Sequence, residues 1–243
     1  MLNHLLLAAL VSTPSSITDR IETAVRTTQL PDLLAIRAEL KTDLETANAN
    51  HRTELQYLLG YVGWRSSHLM RGRDDLDDER EEVLKEAQKT LESVVEARPK
   101  DGESHALLAS VLGMRIDGSF FRGIRLGPRS SALLDKAVAL APESPRVALL
   151  QGIRAVYTPS MFGGGVEQAQ AAFDRAFLLS DKEGEAPWPN WGRVDIFAWR
   201  GQLALKRGDR AGAMALYERA LTETPDARWI RDELLPAARR GHD

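Results

Sequence analysis

Apolar residues recur at intervals of three and four along almost the whole chain from Ile17 onward, and no alternating pattern of the strand type lasts more than a few residues. Intervals of three and four place apolar side chains on one face of an α-helix. The pattern therefore predicts a nearly all-helical protein. The predicted helices cover 17–28, 32–47, 52–70, 77–97, 103–115, 130–140, 145–156, 165–179, 194–206, 210–223 and 227–240.

Prolines and glycines fall mostly between these predicted helices. Pro99, Pro142 and Gly208 are examples, and such residues end helices because proline lacks a backbone donor and glycine tolerates non-helical angles. Pro236 stands inside the last predicted helix and is expected to end or kink it. A series of short helices of this kind is typical of repeat architectures.

The clearest repeated spacing lies in residues 194–225, VDIFAWRGQLALKRGDRAGAMALYERALTETP. This segment resembles a tetratricopeptide repeat (TPR), a helix–turn–helix unit of about 34 residues. Repeat positions 4, 8, 11, 20, 24, 27 and 32 are occupied by Phe197, Gly201, Ala204, Ala213, Tyr217, Ala220 and Pro225, whereas position 7, usually Leu, is Arg200. Small residues at positions 8, 20 and 27 let two helices approach closely, and large residues at positions 4 and 24 fill the space between helix pairs.

Three earlier units follow the same spacing with insertions. Their matching residues are Gly152, Ala169, Phe173 and Ala176; Ala109, Leu134, Ala137 and Pro142; and Gly60, Ala87, Leu91, Val94 and Pro99. The resemblance implies an all-α, TPR-like superhelix of about four degenerate repeats over residues 51–225. Residues 17–50 and 226–243 are expected to be capping helices.

The N-terminal residues 1–16 contain an apolar run from Leu5 to Val11. This run is too short to span a membrane, which takes about 20 residues. It is either a signal peptide or a buried N-terminal helix. A signal peptide would direct the protein out of the cytoplasm, and an exported protein is slightly favoured over a cytoplasmic one.

Composition narrows the classes of function. The net charge of -3 over 243 residues gives no positive field for nucleic-acid binding. The absence of cysteine excludes disulfides and cysteine-ligated metals. No histidine pair has metal-ligand spacing, and no catalytic or dinucleotide motif occurs, so the sequence predicts a non-enzymatic protein without cofactor or metal.

Two groups of ionisable residues are expected to have structural roles. His105 stands at repeat position 4 and is expected to be a core residue, and the acidic run 73–82 is expected to be the solvated start of a helix.

The three glycines in YTPSMFGGG allow two interpretations. They form either the turn between two helices of a repeat or a phosphate cradle at a helix N-terminus. The Gly-Lys-Ser/Thr spacing of a P-loop is missing, which favours the turn.

Two insertions contain candidate partner contacts. Residues 119–131, SFFRGIRLGPRSS, offer the aromatic and basic residues Phe120, Phe121, Arg122, Arg125 and Arg129, followed by Ser130 and Ser131 as helix caps. This segment either contacts an acidic peptide or anionic group, or is a loop whose phenylalanines fold back on the stack while its arginines face water. Residues 186–193 contain Trp188 and Trp191, which are either binding residues or plugs that tie the loop to the core.

The TPR resemblance further implies a concave groove, lined by the first helix of each unit, that binds a segment of a protein partner. The predicted groove residues are Arg146, Leu149, Ile153 and Gln202, together with Ala106, Ser110, Gly113, Asp195 and Ala198. The alternative function is a helical-repeat receptor for a small anionic or apolar ligand, possibly an exported transport accessory, with a cavity lined by Phe120, Arg125 and Trp191. Neither the partner nor the oligomeric state follows from the sequence.

Overall fold

The structure, a computed structural model, describes residues 16–116, 119–184 and 188–240. Helices in series make up this part of the chain, as the apolar spacing predicts, and it contains no strand. The α-helices are α1 (Ile17–Arg26), α2 (Leu30–Thr46), α3 (Ala49–Met70), α4 (Asp77–Ala97), α5 (Gly102–Ile116), α6 (Phe120–Leu140), α7 (Pro145–Tyr157), α8 (Val166–Glu183), α9 (Arg193–Lys206), α10 (Arg210–Glu223) and α11 (Leu235–Arg240). Short 3-10 helices cover Asp74–Leu76 and Ser160–Phe162, and a π-helix covers Trp229–Leu234.

Consecutive helices pair into four units, which we number 1 (α3 and α4), 2 (α5 and α6), 3 (α7 and α8) and 4 (α9 and α10). The pairing follows the predicted repeat positions. A methyl group added at Gly152 would lie 2.4 Å from a ring carbon of Phe173, and one at Gly201 would lie 2.2 Å from the ring of Tyr217. Position 8 therefore has to be small because the residue at position 24 fills that space.

The start of α6 differs from the prediction. The helix begins at Phe120, ten residues before the predicted start, and carries Pro128 inside it. Ser119 caps this helix by accepting a hydrogen bond from the backbone N–H of Arg122. Ser130, predicted as a cap, is instead buried within the helix, where its hydroxyl donates to the carbonyl of Ala109 at 2.7 Å. The insertion is thus an extension of α6 along α5, not a loop.

The C-terminal helical segment is irregular just before Pro236. Residues Trp229–Leu234 are π-helical, and the α-helix resumes at Leu235. Proline cannot donate the hydrogen bond that an α-helix requires, and a π-turn is one way to accommodate this loss. The predicted perturbation at Pro236 is therefore a change of helix type.

The three glycines form the predicted turn between α7 and α8. Gly163 and Gly165 have φ values of 80° and 107°, which favour glycine. Their N–H groups donate within the turn, Gly163 to Ser160 and Gly165 to the carbonyl of Ala155 at 2.8 Å. These donors are used internally, so the phosphate-cradle interpretation is not supported.

The first helices of units 2 and 3 are buried on nearly all sides. In α5 and α7 the buried positions follow one another without an exposed stripe, as is typical of a helix enclosed by neighbours. Two ion pairs join distant parts of the chain, one in the interior and one near the surface. Arg65 in α3 pairs with Asp195 in α9, and Arg26 at the end of α1 pairs with Asp226 at 3.1 Å. The first and last units therefore meet.

Candidate functional site

Residues 188–192, which we call the tryptophan strap, lie across the first helices. Trp191 is only 3% exposed and packs against α3, where its ring stacks on Tyr61 with centroids 5.1 Å apart and contacts Trp64 at 5.5 Å. The indole N–H of Trp191 donates to the hydroxyl of Tyr57 at 3.3 Å. Gly192 follows with φ 108° and starts α9 over Leu149.

Trp188 anchors the other end of the strap on the same helix. Its ring meets the edge of Tyr57 at 5.5 Å and that of Tyr61 at 6.1 Å. Aromatic pairs at these distances stabilise a contact beyond the apolar area that they bury. The strap therefore packs against the inner side of α3 and α7 and fills the space there.

A buried arginine lies beside the strap. The guanidinium of Arg65 is 4.7 Å from the ring centre of Trp64 and 5.4 Å from that of Trp191. It donates two hydrogen bonds to Asp195, at 2.8 and 2.7 Å, and its Nε donates to the hydroxyl of Tyr61 at 2.9 Å. This geometry satisfies the buried cation with one carboxylate, one hydroxyl and three aromatic faces.

The electrostatics of the cluster follow from burial and the fixed charges. Burial opposes the charged form of Arg65, but the charge of Asp195 and the contact with Tyr61 outweigh it and raise the pKa of the guanidinium well above its usual value. Burial raises the pKa of Glu22, which accepts a hydrogen bond from Tyr61 at 2.9 Å, and Arg65 partly offsets the effect. Burial, followed by the charge of Arg65, lowers the pKa of His68 to about 3. Every charge in this cluster thus has a partner inside the protein.

The connections between the two helices of each unit lie along one edge, because successive helices are antiparallel. We call this the tip edge: the 3-10 helix Asp74–Leu76 of unit 1, the start of α6 in unit 2, the 3-10 helix Ser160–Phe162 of unit 3 and the turn Arg207–Asp209 of unit 4. Large apolar side chains are exposed at units 2 and 3. They are Phe120 (75%), Phe121 (83%), Ile124 (62%), Met161 (81%) and Phe162 (67%). We call these five residues the apolar patch.

The α6 half of the patch is turned toward unit 3. Ser131 of α6 accepts a hydrogen bond from Arg154 of α7 at 2.7 Å, so this face of α6 is turned toward unit 3. Phe120 and Ile124 lie on the same face of α6, eleven and seven residues before Ser131. The opposite face carries Arg122, which pairs with Glu81 of unit 1 at 3.3 Å. Phe120 and Ile124 therefore project toward the tip of unit 3.

Comparisons with known proteins identify the fold. A thermophilic TPR protein of Thermus thermophilus, TTC0263, matches with a TM-score of 0.64 and 17% identity over 93% of this chain and 100% of that chain. The chain has a TPR-like fold. The haemophore HusA of Porphyromonas gingivalis matches with a TM-score of 0.53 and 19% identity over 79% of this chain and 94% of that chain. No family model and no curated protein matches the sequence.

In this TPR-like fold the predicted groove residues lie under other side chains. Leu149 is fully buried and Ile153 nearly so. Arg146 is buried between two carboxylates, pairing with Glu103 at 2.8 Å and with Glu183, and these contacts raise the pKa of Arg146 against the effect of burial. Gln202 of α9 is half-buried. These four side chains have packing partners and offer little surface to another molecule in this conformation.

The aromatic and basic residues of the 119–131 segment have a different environment. Phe120 and Phe121 do not fold back on the stack, which corrects the loop interpretation. Arg122 and Arg129 pair with Glu81 and with Glu92, the latter at 2.7 Å. Arg125 is exposed and has no ion pair with any described residue. Within the TPR-like fold this segment therefore presents two phenylalanines and one unpaired cation.

A cleft beside the strap has a volume of about 300 Å³. It is lined by the strap residue Trp191 and by Pro145, Asp181, Arg193 and Ile196 among others. Phe120 and Arg125 belong to the tip edge, so they do not share a cavity with Trp191, as the small-ligand alternative required. Among the described residues, no group of three or more His, Asp or Glu side chains is placed to hold a metal ion. No described helix is long and apolar enough to cross a membrane.

Several important residues escaped the sequence analysis. Ile124, Met161 and Phe162 complete the apolar patch, and only their exposure reveals them. Met161 and Phe162 stand in the glycine-rich turn, where a pair of large apolar residues is unusual for a solvated connection. This pair is a sequence feature that indicates an exposed apolar surface. Arg65 carries no sequence signal of its role because its partner lies 130 residues away.

Proposed function

We propose that this chain is a TPR-like scaffold that binds a protein partner through the tip edge, not through the concave groove. The single observation that carries the proposal is the apolar patch. Its five side chains together expose an area on the order of 700 Å², taking about 150–250 Å² for each fully exposed large side chain. The largest apolar patch on a typical monomer covers about 300–600 Å², and larger ones mark interaction sites.

The filled concave side supports the same assignment. A peptide in the groove would have to displace Trp191, which stacks on Tyr61 and neighbours the buried Arg65–Asp195 pair. The tip edge requires no displacement. Of the residues predicted to contact a partner, Phe120, Phe121 and Arg125 belong to the proposed surface, and Trp188 and Trp191 hold the strap.

Site-specific photocrosslinking tests the proposal. A photoreactive phenylalanine analogue at position 121 is compared with the same analogue at Leu178, an exposed apolar residue of α8 that lies away from the tip edge. We expect protein crosslinks in native lysate from position 121 and none above background from position 178. Equal yields at the two positions would overturn the proposal.

The alternative, a receptor for a small anionic or apolar ligand, has weaker support. HusA is called a haemophore, and the likeness to it extends to the fold. The cleft beside the strap is not lined by Arg125, but an apolar patch beside Arg125 has the chemistry to contact a flat anionic ring. A haem titration followed by absorbance, with wild type and Phe121→Asp, tests this alternative. A saturable change that the substitution abolishes would favour it.

A further inference from the structure

We propose that the partner of the tip edge is a second copy of this chain, bound about a two-fold axis that passes between units 2 and 3. The inference rests on the proposed function and names its partner. An isologous contact requires one surface to be complementary to itself. Three features of the tip edge meet this requirement: its charge order, its apolar centre and its area.

The tip of unit 1 is acidic. Its exposed carboxylates are Asp74, Asp75, Asp77, Asp78 and Glu79. Within the tip, Arg73 pairs with Asp75 at 3.4 Å in a contact in which both side chains are more than half exposed. Arg71 and Arg80 are the other cations of this tip, and the five carboxylates outnumber the three arginines, so this end of the edge carries an excess of negative charge.

The tip of unit 4 is basic. Arg210 donates hydrogen bonds to the carbonyls of Ala238 and Arg239, so the end of α11 returns to this tip. The exposed cations gathered here are Lys206, Arg207, Arg210, Arg239 and Arg240. The opposing carboxylates are Asp209, which caps α10, and Glu218, which pairs with Arg239 at 3.2 Å. The cations are in excess at this end.

Counted from unit 1 to unit 4, the tips are thus acidic, apolar, apolar and basic. The edge curves, because Arg71 at the tip of unit 1 donates a hydrogen bond to Tyr157 at the tip of unit 3 at 2.9 Å. A two-fold axis between units 2 and 3 exchanges unit 1 with unit 4 and unit 2 with unit 3. In the resulting pair, apolar tip meets apolar tip, and each acidic tip meets the basic tip of the other copy. The parallel arrangement would place like charges together and is disfavoured.

The area fits the same conclusion. About 700 Å² of exposed apolar surface per copy approaches the roughly 800 Å² per partner that a stable protein–protein interface buries. An anionic membrane is a poorer occupant, because the acidic tip of unit 1 would be repelled by its surface. Arg129 is neutralised by Glu92 and adds little attraction, whereas Arg122 shares Glu81 with Arg115.

Sedimentation equilibrium of the full chain at low salt tests the pairing, over protein concentrations of about 1–100 μM. We expect the mass to rise from the 26.9 kDa of one chain to twice that value. Phe121→Asp should weaken association by roughly a hundredfold or more, because it places a charge in the apolar centre. The control Leu178→Asp should leave the association unchanged. Circular dichroism confirms that both variants are folded.

Charge reversal tests the alignment. One variant carries Asp74→Lys and Asp75→Lys, so that both of its charged tips are basic. The other carries Lys206→Glu and Arg207→Glu, so that both are acidic. Each variant alone should associate at least about tenfold more weakly than wild type, and an equimolar mixture of the two should pair again.

The results separate this inference from the proposed function. A mass that stays at that of one chain overturns the inference, and crosslinks from position 121 to a different protein would then leave the proposed function standing. Monomeric protein without such crosslinks overturns both. Association that Phe121→Asp abolishes but charge reversal leaves unchanged overturns the two-fold alignment.

Discussion

Replacing Arg65 by methionine should destabilise this protein far more than breaking an exposed ion pair of the same geometry. Arg65 and Asp195 form two hydrogen bonds of 2.8 and 2.7 Å, and their side chains are only 8% and 17% exposed. Arg65→Met removes the cation and leaves the carboxylate of Asp195 buried without its partner. Truncating one side of a buried pair costs about 3–5 kcal/mol.

Arg20 and Glu39 provide a matched control. They also form two hydrogen bonds, at 3.0 and 2.8 Å, but their side chains are 40% and 43% exposed. Water screens this pair and solvates either partner when the other is removed. Arg20→Met should therefore cost about 0.2–1 kcal/mol.

Urea unfolding followed by circular dichroism measures both costs as changes in the free energy of unfolding. The free energy of unfolding of a domain is about 5–15 kcal/mol. Arg65→Met should therefore lower the urea concentration at the midpoint of unfolding by a large fraction of its wild-type value. The double substitution Arg65→Met and Asp195→Leu should recover part of the loss, because no unpaired charge remains buried. A cost for Arg65→Met as small as that for Arg20→Met would refute the argument that this contact is desolvated.

Three further predictions concern packing and pH. Gly152→Ala should cost about 1–3 kcal/mol in urea unfolding although alanine favours helices, because the added methyl meets Phe173 at 2.4 Å; combining it with Phe173→Leu should make the two costs non-additive. Trp191→Ala should cost about 3–5 kcal/mol and speed proteolysis at the strap, whereas unchanged stability would show that the strap does not seal the concave side. His68 has its pKa lowered from 6.5 to about 3, so the unfolded chain takes up its proton first as the pH falls. The free energy of unfolding should therefore decrease below pH 6.5, by at most about 1.4 kcal/mol per pH unit for this residue, and His68→Gln should reduce that slope between pH 7 and 5.

The apolar spacing was sufficient to predict the helices. Nine of the eleven α-helices of the described chain begin within about three residues of the predicted start, and α11 lies inside the helix predicted over 227–240. The exception, α6, begins at Phe120 because Gly123, Gly127 and Pro128 resemble loop residues when read locally. The antiparallel partner α5 stabilises this stretch as a helix, and local propensity does not report that contact.

The sequence by itself determined the all-helical fold and the register of its repeats. Both depend on spacings of three, four and about 34 residues, which stay visible in one dimension because helix pairs contact their sequence neighbours. The repeat register alone therefore matches Gly152 with Phe173 and Gly201 with Tyr217, and these pairs are in contact in the structure.

Only the tertiary structure decided which surfaces are available. The strap fills the concave side and Arg65 meets Asp195 across 130 residues, whereas Phe121 and Met161 are left in solvent. Such facts depend on how far the stack winds before its first and last units touch, and that angle is the sum of small packing rotations at every helix pair. No local pattern encodes this sum, so aliphatic residues of the same size are buried at Leu149 and exposed at Ile124.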